Sequence, residues 1–461
     1  MKKSIWIFIF YLILNPWKVY AQEDTTSQEI KKWTLQDCIN YAVDNNIDLK
    51  RQRLLTESAE IDLLKSKLNL VPSLNFGSDA NLGFGRSINP VTNLITFKQN
   101  ISNSYSLNSS VQLFSGFAAA NTISSNKFML KAGLETEKIR TNTLVVEILS
   151  AYYQVLYAKG LEDAAKMQLN LSEKQLFRIQ KMVETGREAL SKQYEMESRA
   201  SEDRLSYTVA KNSTSQAVTS LKQLLQLEPG TRFELLMPDL DNTLISDETF
   251  NADSVYSIAS QILPRLKAIN FELEATRKQV AAAKGYFAPR VTVGGAIYTG
   301  YYKVISEDEV IEQDPFKEQL KNNNSQAIYA SLNIPIFNNY TAGRNLKQAK
   351  LRRNDAELRL ELEKNILYTE IENICLDYNR GKDEYTAAVA NFDFNRKSFD
   401  AVEKKFETGL LDVTDYSAAQ TSLFRAETEA LRTKLQLLIK RLSIQLYSTG
   451  EYNEIISSQI N

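Results

Sequence analysis

Histidine is absent from this 461-residue chain. Its absence removes a Ser-His-Asp or Cys-His catalytic site, a zinc-histidine centre and a histidine pH switch. Cysteine is nearly absent. Cys38 and Cys375 lie in helical patterns far apart in sequence, and two thiols cannot make a disulfide framework; at most they form one bridge. Proline occurs 9 times and glycine 16, few for this length, which favours long uninterrupted elements. A basic surplus is missing too. Lys+Arg is 55 and Asp+Glu 56, a net charge of -1, so the counterion release that drives nucleic-acid binding has no source. No Gly-rich phosphate loop, CxxC pair or catalytic dyad appears, which argues against an enzyme and against a bound cofactor or metal. What is present is apolar enough to fold, with 43% hydrophobic residues against 24% charged.

The N-terminus indicates a compartment. Lys2 and Lys3 precede an apolar run from Ile5 to Leu14, Pro16 breaks it, and Val19-Tyr20-Ala21 ends it with a small-x-small pattern. Residues 1–21 therefore read as a secretory signal peptide. The apolar run would make only about 15 Å of helix, half the ~30 Å of a bilayer core. No cysteine directly follows Ala21, so a lipid-modified N-terminus is not expected.

The chain is written twice. Leu68-Asn69-Leu70-Val71-Pro72 aligns with Gly285-Tyr286-Phe287-Ala288-Pro289, an offset of 217, and Leu49-Lys50 falls over Leu266-Lys267 at the same offset. Val111-Gln112-Leu113-Phe114 falls over Ile334-Pro335-Ile336-Phe337 at 223, and Glu184-Thr185-Gly186 over Glu407-Thr408-Gly409, again at 223. The extra residues belong in the polar stretch Glu307–Asn324. The expected organisation is a short segment 22–33, repeat one over 34–228, a linker 229–249, repeat two over 250–448 and a tail 449–461. Each repeat reads as a short helix, a helix of ~24 residues, two strands, a very long helix and a return helix. The long helices span about 118–185 and 341–408. Each would be ~100 Å at 1.5 Å per residue, longer than any compact domain of this size. One continuous and one interrupted strut per half imply a rod.

Between the struts the hydropathy period changes to two. Strands are expected over about 73–86, 103–114, 290–302 and 326–337. In the first, Leu74, Phe76, Ala80, Leu82 and Phe84 oppose Ser73, Asn75, Asp79 and Asn81. Alternation over ~11 residues fits a transmembrane β-strand, with lipid outside and water inside. Four strands cannot close a barrel, and open edges are not tolerated in lipid, so the chain must oligomerise. The loops Ile88–Ser102 and Lys303–Ser325 would face the exterior. The fold class is thus mixed and mainly α: a long antiparallel coiled-coil barrel joined to a transmembrane β-barrel. A periplasmic coiled-coil scaffold with a small soluble sheet is the competing reading.

The signal peptide, duplicated halves, Pro-strand-strand-long-helix order, paired glycine turns and the opening Trp33-Thr34-Leu35-Gln36-Asp37-Cys38 together resemble the TolC family of outer-membrane efflux proteins. The resemblance covers Trp33 to about Tyr447. It implies a homotrimer in outer-membrane lipid, reaching into the periplasm of a Gram-negative cell. Such a trimer exports solutes when docked to a periplasmic adaptor and an inner-membrane transporter. It also implies that the helix turns form the inner tip, with Gly186, Arg187, Ser191, Gly409, Leu410 and Thr414 meeting the adaptor. Asp415 falls where family members place a constricting acidic ring, and Phe406 where they place an aromatic lock. Ala418 and Lys192 depart from a double acidic ring, and Val183 from a second aromatic.

Overall fold

The computed structural model describes residues 32–88, 93, 95–96, 99–236, 249–305 and 314–450. The signal peptide, most of the linker, the acidic positions 307, 308, 309 and 312 and the tail beyond 450 lie outside the described residues. The helices are α1 (Leu35–Asn45), α2 (Ile47–Leu68), α3 (Ala118–Glu184), α4 (Leu190–Leu225), α5 (Ala252–Ile262), α6 (Pro264–Gly285), α7 (Phe316–Asn322), α8 (Thr341–Glu407) and α9 (Val413–Thr449). The strands are β1 (Lys32–Trp33), β2 (Ser73–Gly83), β3 (Ser87–Ile88), β4 (Ile95–Thr96), β5 (Gln99–Phe114), β6 (Glu234–Leu235), β7 (Arg290–Ile305) and β8 (Ser325–Asn333).

The two struts α3 and α8 have 67 residues each and no proline. Each is about 100 Å long. Side-chain oxygens start the shorter helices where free N–H groups need acceptors. Thr34 and Asp37 form a capping box on α1, Asn46 accepts from Asp48 and Leu49 on α2, and Asp412 accepts from Asp415 on α9. Gln226 ends α4 in the left-handed region at φ 56°, and its Oε1 accepts the Ile47 N–H at 2.8 Å. That bond stacks α4 and α2 end to end, so together they form the interrupted strut beside α3. Helices α2, α4 and α6 all pack on α3, and α6 and α9 on α8.

Among the described residues, three apolar clusters hold the rod. One joins Cys38, Leu49, Ile148 and Leu221; a second joins Leu266, Ile371, Cys375 and Tyr378; a third lies at the far tip. The cysteines are free and sit in different clusters, so no bridge forms. Burial, with Asp37 beside it, pushes the Cys38 thiol up to about 12, and burial raises Cys375 as well. Both are packing residues.

Strands β2, β5, β7 and β8 form one antiparallel sheet in that order. Ser73 pairs with Ser110 in the first hairpin and Arg290 with Asn333 in the second. Strand β8 stops at Asn333, short of Phe337, because Pro335 has no N–H to give to a ladder. The loop Lys303–Ser325 is not wholly irregular either. Its α7 lies along the part of β7 that β8 does not reach. Gln319, buried, accepts the Tyr302 N–H at 3.0 Å, Asn323 donates to the Gly300 carbonyl at 2.8 Å, and Phe316 packs edge-on against Tyr301. Helix side chains thus satisfy an edge that would otherwise be bare.

Candidate functional site: channel wall and periplasmic tip

The sheet sorts its side chains by face. In β5, Ser102, Ser104, Ser106, Asn108, Ser110 and Gln112 share one face, and they pair with Asn81, Asp79, Gly77, Asn75 and Ser73 of β2 on the same face. The opposite face carries Leu74, Phe76, Leu82, Ile101 and Leu107, and across the next join Val293 and Ile297. A hydroxyl-and-amide face backed by a mostly apolar one, which Ser78, Asn103 and Ser109 interrupt, fits a wall between water and lipid. The Ser104 hydroxyl lies 3.4 Å from Asp79 Oδ2, so the one carboxylate of β2 sits on the polar face.

At the other end of the rod each long helix closes with the same turn. Gly186 at φ 71° gives its N–H to the Val183 carbonyl, and the Arg187 N–H reaches Met182. Gly409 at φ 77° bonds Phe406, and Leu410 reaches Lys405. Both are Schellman turns, whose left-handed position glycine fills without a Cβ penalty. The two hairpins meet. Ile179 and Met196 of the first pack with Phe399, Phe406, Val413 and Tyr416 of the second. Polar ties flank this core. The Arg178 guanidinium donates to the Glu407 carbonyl at 2.6 Å, Arg199 to Thr421 Oγ1 at 2.7 Å, and Gln420 to the Gln168 carbonyl at 3.2 Å.

Of the residues singled out from sequence, Gly186, Arg187, Ser191, Gly409, Leu410, Thr414 and Asp415 are exposed at this tip. Leu410 is 75% exposed, high for a leucine. Phe406 is placed differently from these. It is 7% exposed and stacks on Tyr416, with centroids 4.5 Å apart and planes 25° apart. Its ring fills the space between the helices of its own hairpin.

Sequence reasoning missed Tyr416. It is fully buried, and burial together with the Glu403, Glu407 and Asp203 carboxylates holds its phenol well above the usual value. Gln175 reaches toward that hydroxyl, but neither Tyr416 Oη nor Gln175 Oε1 has a hydrogen bond of good geometry among the described residues. Burial and the neighbouring Glu407 and Asp400 carboxylates likewise raise Glu403. A tyrosine ten residues beyond Phe406, in the first turn of the return helix, was the available signal. Also unread was a groove of about 380 Å³ between α3, α8 and α9, lined by Met167, Phe392, Phe399, Leu423 and Glu427.

Both halves of the chain, residues 38–226 and 255–449, match the family described as outer membrane efflux protein. No curated protein matches the chain. Among solved structures, the CmeC outer membrane channel of Campylobacter jejuni is 16% identical, covers 92% of this chain and 88% of its own, and has a TM-score of 0.76. The open-state MtrE outer membrane channel of Neisseria gonorrhoeae is 18% identical, covers 94% of each chain and has a TM-score of 0.72. The outer membrane protein VceC of Vibrio cholerae is 15% identical, covers 91% of this chain and 96% of its own, with a TM-score of 0.74. At these identities the likeness is one of fold, and it spans the strands and the struts alike. The chain belongs to the outer membrane efflux protein family, an efflux channel of the outer membrane whose helices extend into the periplasm.

Proposed function

We propose that three copies of the chain form a passive exit duct, docked to a periplasmic adaptor and driven by an inner-membrane transporter. The observation that carries this reading is the four-stranded sheet with a mostly apolar outer face and two open edges, β2 and β8. Hydrocarbon does not tolerate open edges. Two copies would give eight strands, an interior that side chains fill; three give twelve, the smallest assembly with an open lumen. The sequence holds no nucleotide-binding motif, so the energy for transport comes from a partner.

In this reading the exposed turns are the adaptor-docking tip: Gly186, Arg187 and Ser191 in one hairpin, Gly409, Leu410 and Thr414 in the other. Leu410 and Leu190, exposed at the two turns, support it as paired apolar contacts at the tip. Asp415, exposed in the first turn of α9, would recur three times around the axis. Such a ring attracts cations and its members repel one another, which suits a constriction. Phe406, buried against Tyr416 in the same hairpin, would act on the gate by holding these helix ends together. Purified protein in detergent is expected to migrate as a heat-modifiable trimer and to conduct ions in planar bilayers. A chain that stays monomeric and soluble without detergent, or forms no conductance, overturns the reading.

A further inference from the structure

The internal repeat fixes how one copy joins the next. Under the offsets of 217 for the first strand and 223 for the second, Ser73 maps to Arg290 and Ser110 to Asn333. Those mapped residues are themselves paired, just as the originals are. The two hairpins therefore share one register. The chain also contains one join between repeats, β5 against β7, where Asn108 pairs with Ala296, Ser110 with Gly294 and Gln112 with Thr292. Carried through the same offsets, that join becomes β8 against the β2 of another copy.

We infer that the seam between copies has this register: Asn333 opposite Gly77 of the next copy, Ser331 opposite its Asp79, Tyr329 opposite its Asn81 and Ala327 opposite its Gly83. The inference rests on the trimeric reading above and goes further, naming which residues meet. Two features of the single chain agree with it. First, parity is right. Ser331, Tyr329 and Asn333 lie on the polar face through β7, as do Asp79, Asn81 and Gly77 through β5. A one-residue slip would bring every outward side chain of one strand against the lumen side of the other.

Second, the outward residues of the two edges match and are bare. The register sets Ile334 against Phe76 of the next copy, Ile328 against its Leu82 and Ala330 against its Ala80. Ile328 is 91% exposed and Phe76 70%, whereas Leu107 and Ile297 of the central strands are 37% and 43%. The mapping also carries the stagger over. Ser110 pairs with both Ser73 and Gly294, which lies four residues beyond Ser73's equivalent Arg290. The seam repeats that step, since Asn333 pairs with Arg290 and would meet Gly77, four residues beyond Ser73. A ring built from equal steps closes without strain.

The helices carry the same logic. Inside the chain α3 packs on α6, with Phe128 and Phe271 stacked at 6.3 Å and Ser125 Oγ bonded to the Ala275 carbonyl. The mapped contact is α8 against the next copy's α2, with Leu351 in the place of Phe128 and Leu54 in that of Phe271. Both leucines are about two-thirds exposed in one chain, at 60% and 64%. At the strand-to-helix corner the internal pair Gly116 and Gly285 maps to Asn339 and Leu68, whose side chains hold that corner of the seam wider.

Paired cysteines test the register. Opposed antiparallel residues have Cα atoms about 4.5–5.5 Å apart, inside disulfide range, whereas a shift of two residues adds about 7 Å along the strand. Ala80→Cys with Ala330→Cys, oxidised in the outer membrane, is expected to yield covalent dimers and trimers. Ala80→Cys with Ile328→Cys, or with Leu332→Cys, is expected to link at least ten-fold less. The native thiols are buried, so the parent chain gives no link. Leu54→Cys with Leu351→Cys reports the helical seam independently, outside the membrane. Stronger linking in a shifted pair overturns the register. If neither designed pair links while the protein still runs as a trimer, the seam is wrong and the duct stands. If the protein is monomeric, both fall.

Discussion

Gly116 and Gly285 touch backbone to backbone where β5 turns into α3 and α6 approaches β7. A Cβ on Gly116 would lie 2.5 Å from the Gly285 carbonyl oxygen, and one on Gly285 would lie 2.6 Å from the Gly116 carbonyl oxygen. Gly116 also stands at φ 62°, where a side chain is strained in any surroundings. Gly116→Ala is therefore expected to cost about 2–4 kcal/mol, an overpacking term added to a left-handed backbone term. Gly85→Ala is the control, with φ 95° but open space around it, and should cost only about 1–2 kcal/mol. Thermal unfolding in detergent and the yield of membrane-inserted protein check both.

Phe406 and Tyr416 tie the last turns of α8 to the first turns of α9. Truncation of a buried aromatic leaves a cavity and costs about 3–5 kcal/mol. Phe406→Ala is expected to loosen this hairpin, seen as new proteolytic cuts near residues 405–415 and faster amide exchange there. The change expected of a pore-lining lock is different: altered conductance with an unchanged hairpin. Tyr416→Phe should be mild, within about 1 kcal/mol, because the hydroxyl it removes has no well-formed bond to lose.

These two sites lie where the sequence was not legible, and other parts of the chain were. Gly186 and Gly409 could be read because a chain reversal after a long helix imposes a local backbone demand that glycine meets. The strands could be read because lipid and water on opposite faces impose a period of two on Leu74, Phe76, Leu82 and their neighbours. The repeat could be read because each half solves the same packing problem. The burial of Phe406 could not be read because an aromatic near a helix end looks alike whether it faces a lumen or a partner, and its partner Tyr416 lies across a turn. Gly116 was silent because its neighbour Gly285 is distant in sequence. Helix α7 was hidden in a polar loop, since Gln319 acts by capping a strand edge and not by hydrophobic periodicity.

Glu403 gives the tip a pH dependence. Burial and the Glu407 and Asp400 carboxylates raise its pKa from 4.5, so the folded chain holds this proton more tightly than the unfolded one. Stability is then full below 4.5, falls as pH rises through the elevated folded value, and levels off above it. Glu403→Gln is expected to remove this fall. Its melting temperature should exceed that of the parent near neutral pH and converge with it at about pH 4. Parallel melting curves across that range would show that the carboxylate carries no such penalty.

Asp415 is the exposed member of the proposed gate pair, Phe406 the buried one. Its backbone N–H is held by Asp412 Oδ1 at 3.0 Å, so the first turn of α9 is capped without help from the Asp415 side chain. Asp415→Ala therefore keeps the cap and should lose at most about 1 kcal/mol of charge–dipole stabilisation. In a trimer it also deletes three carboxylates from one ring. Single-channel conductance in planar bilayers is expected to rise and cation preference to fall, the latter most clearly at low salt, where screening is weak. Asp412→Ala separates the two roles, costing about 1 kcal/mol through the lost cap while leaving the ring charge in place. If conductance and ion preference are unchanged in Asp415→Ala, its carboxylate serves the helix end alone, and the constriction must be sought elsewhere on the exposed turns.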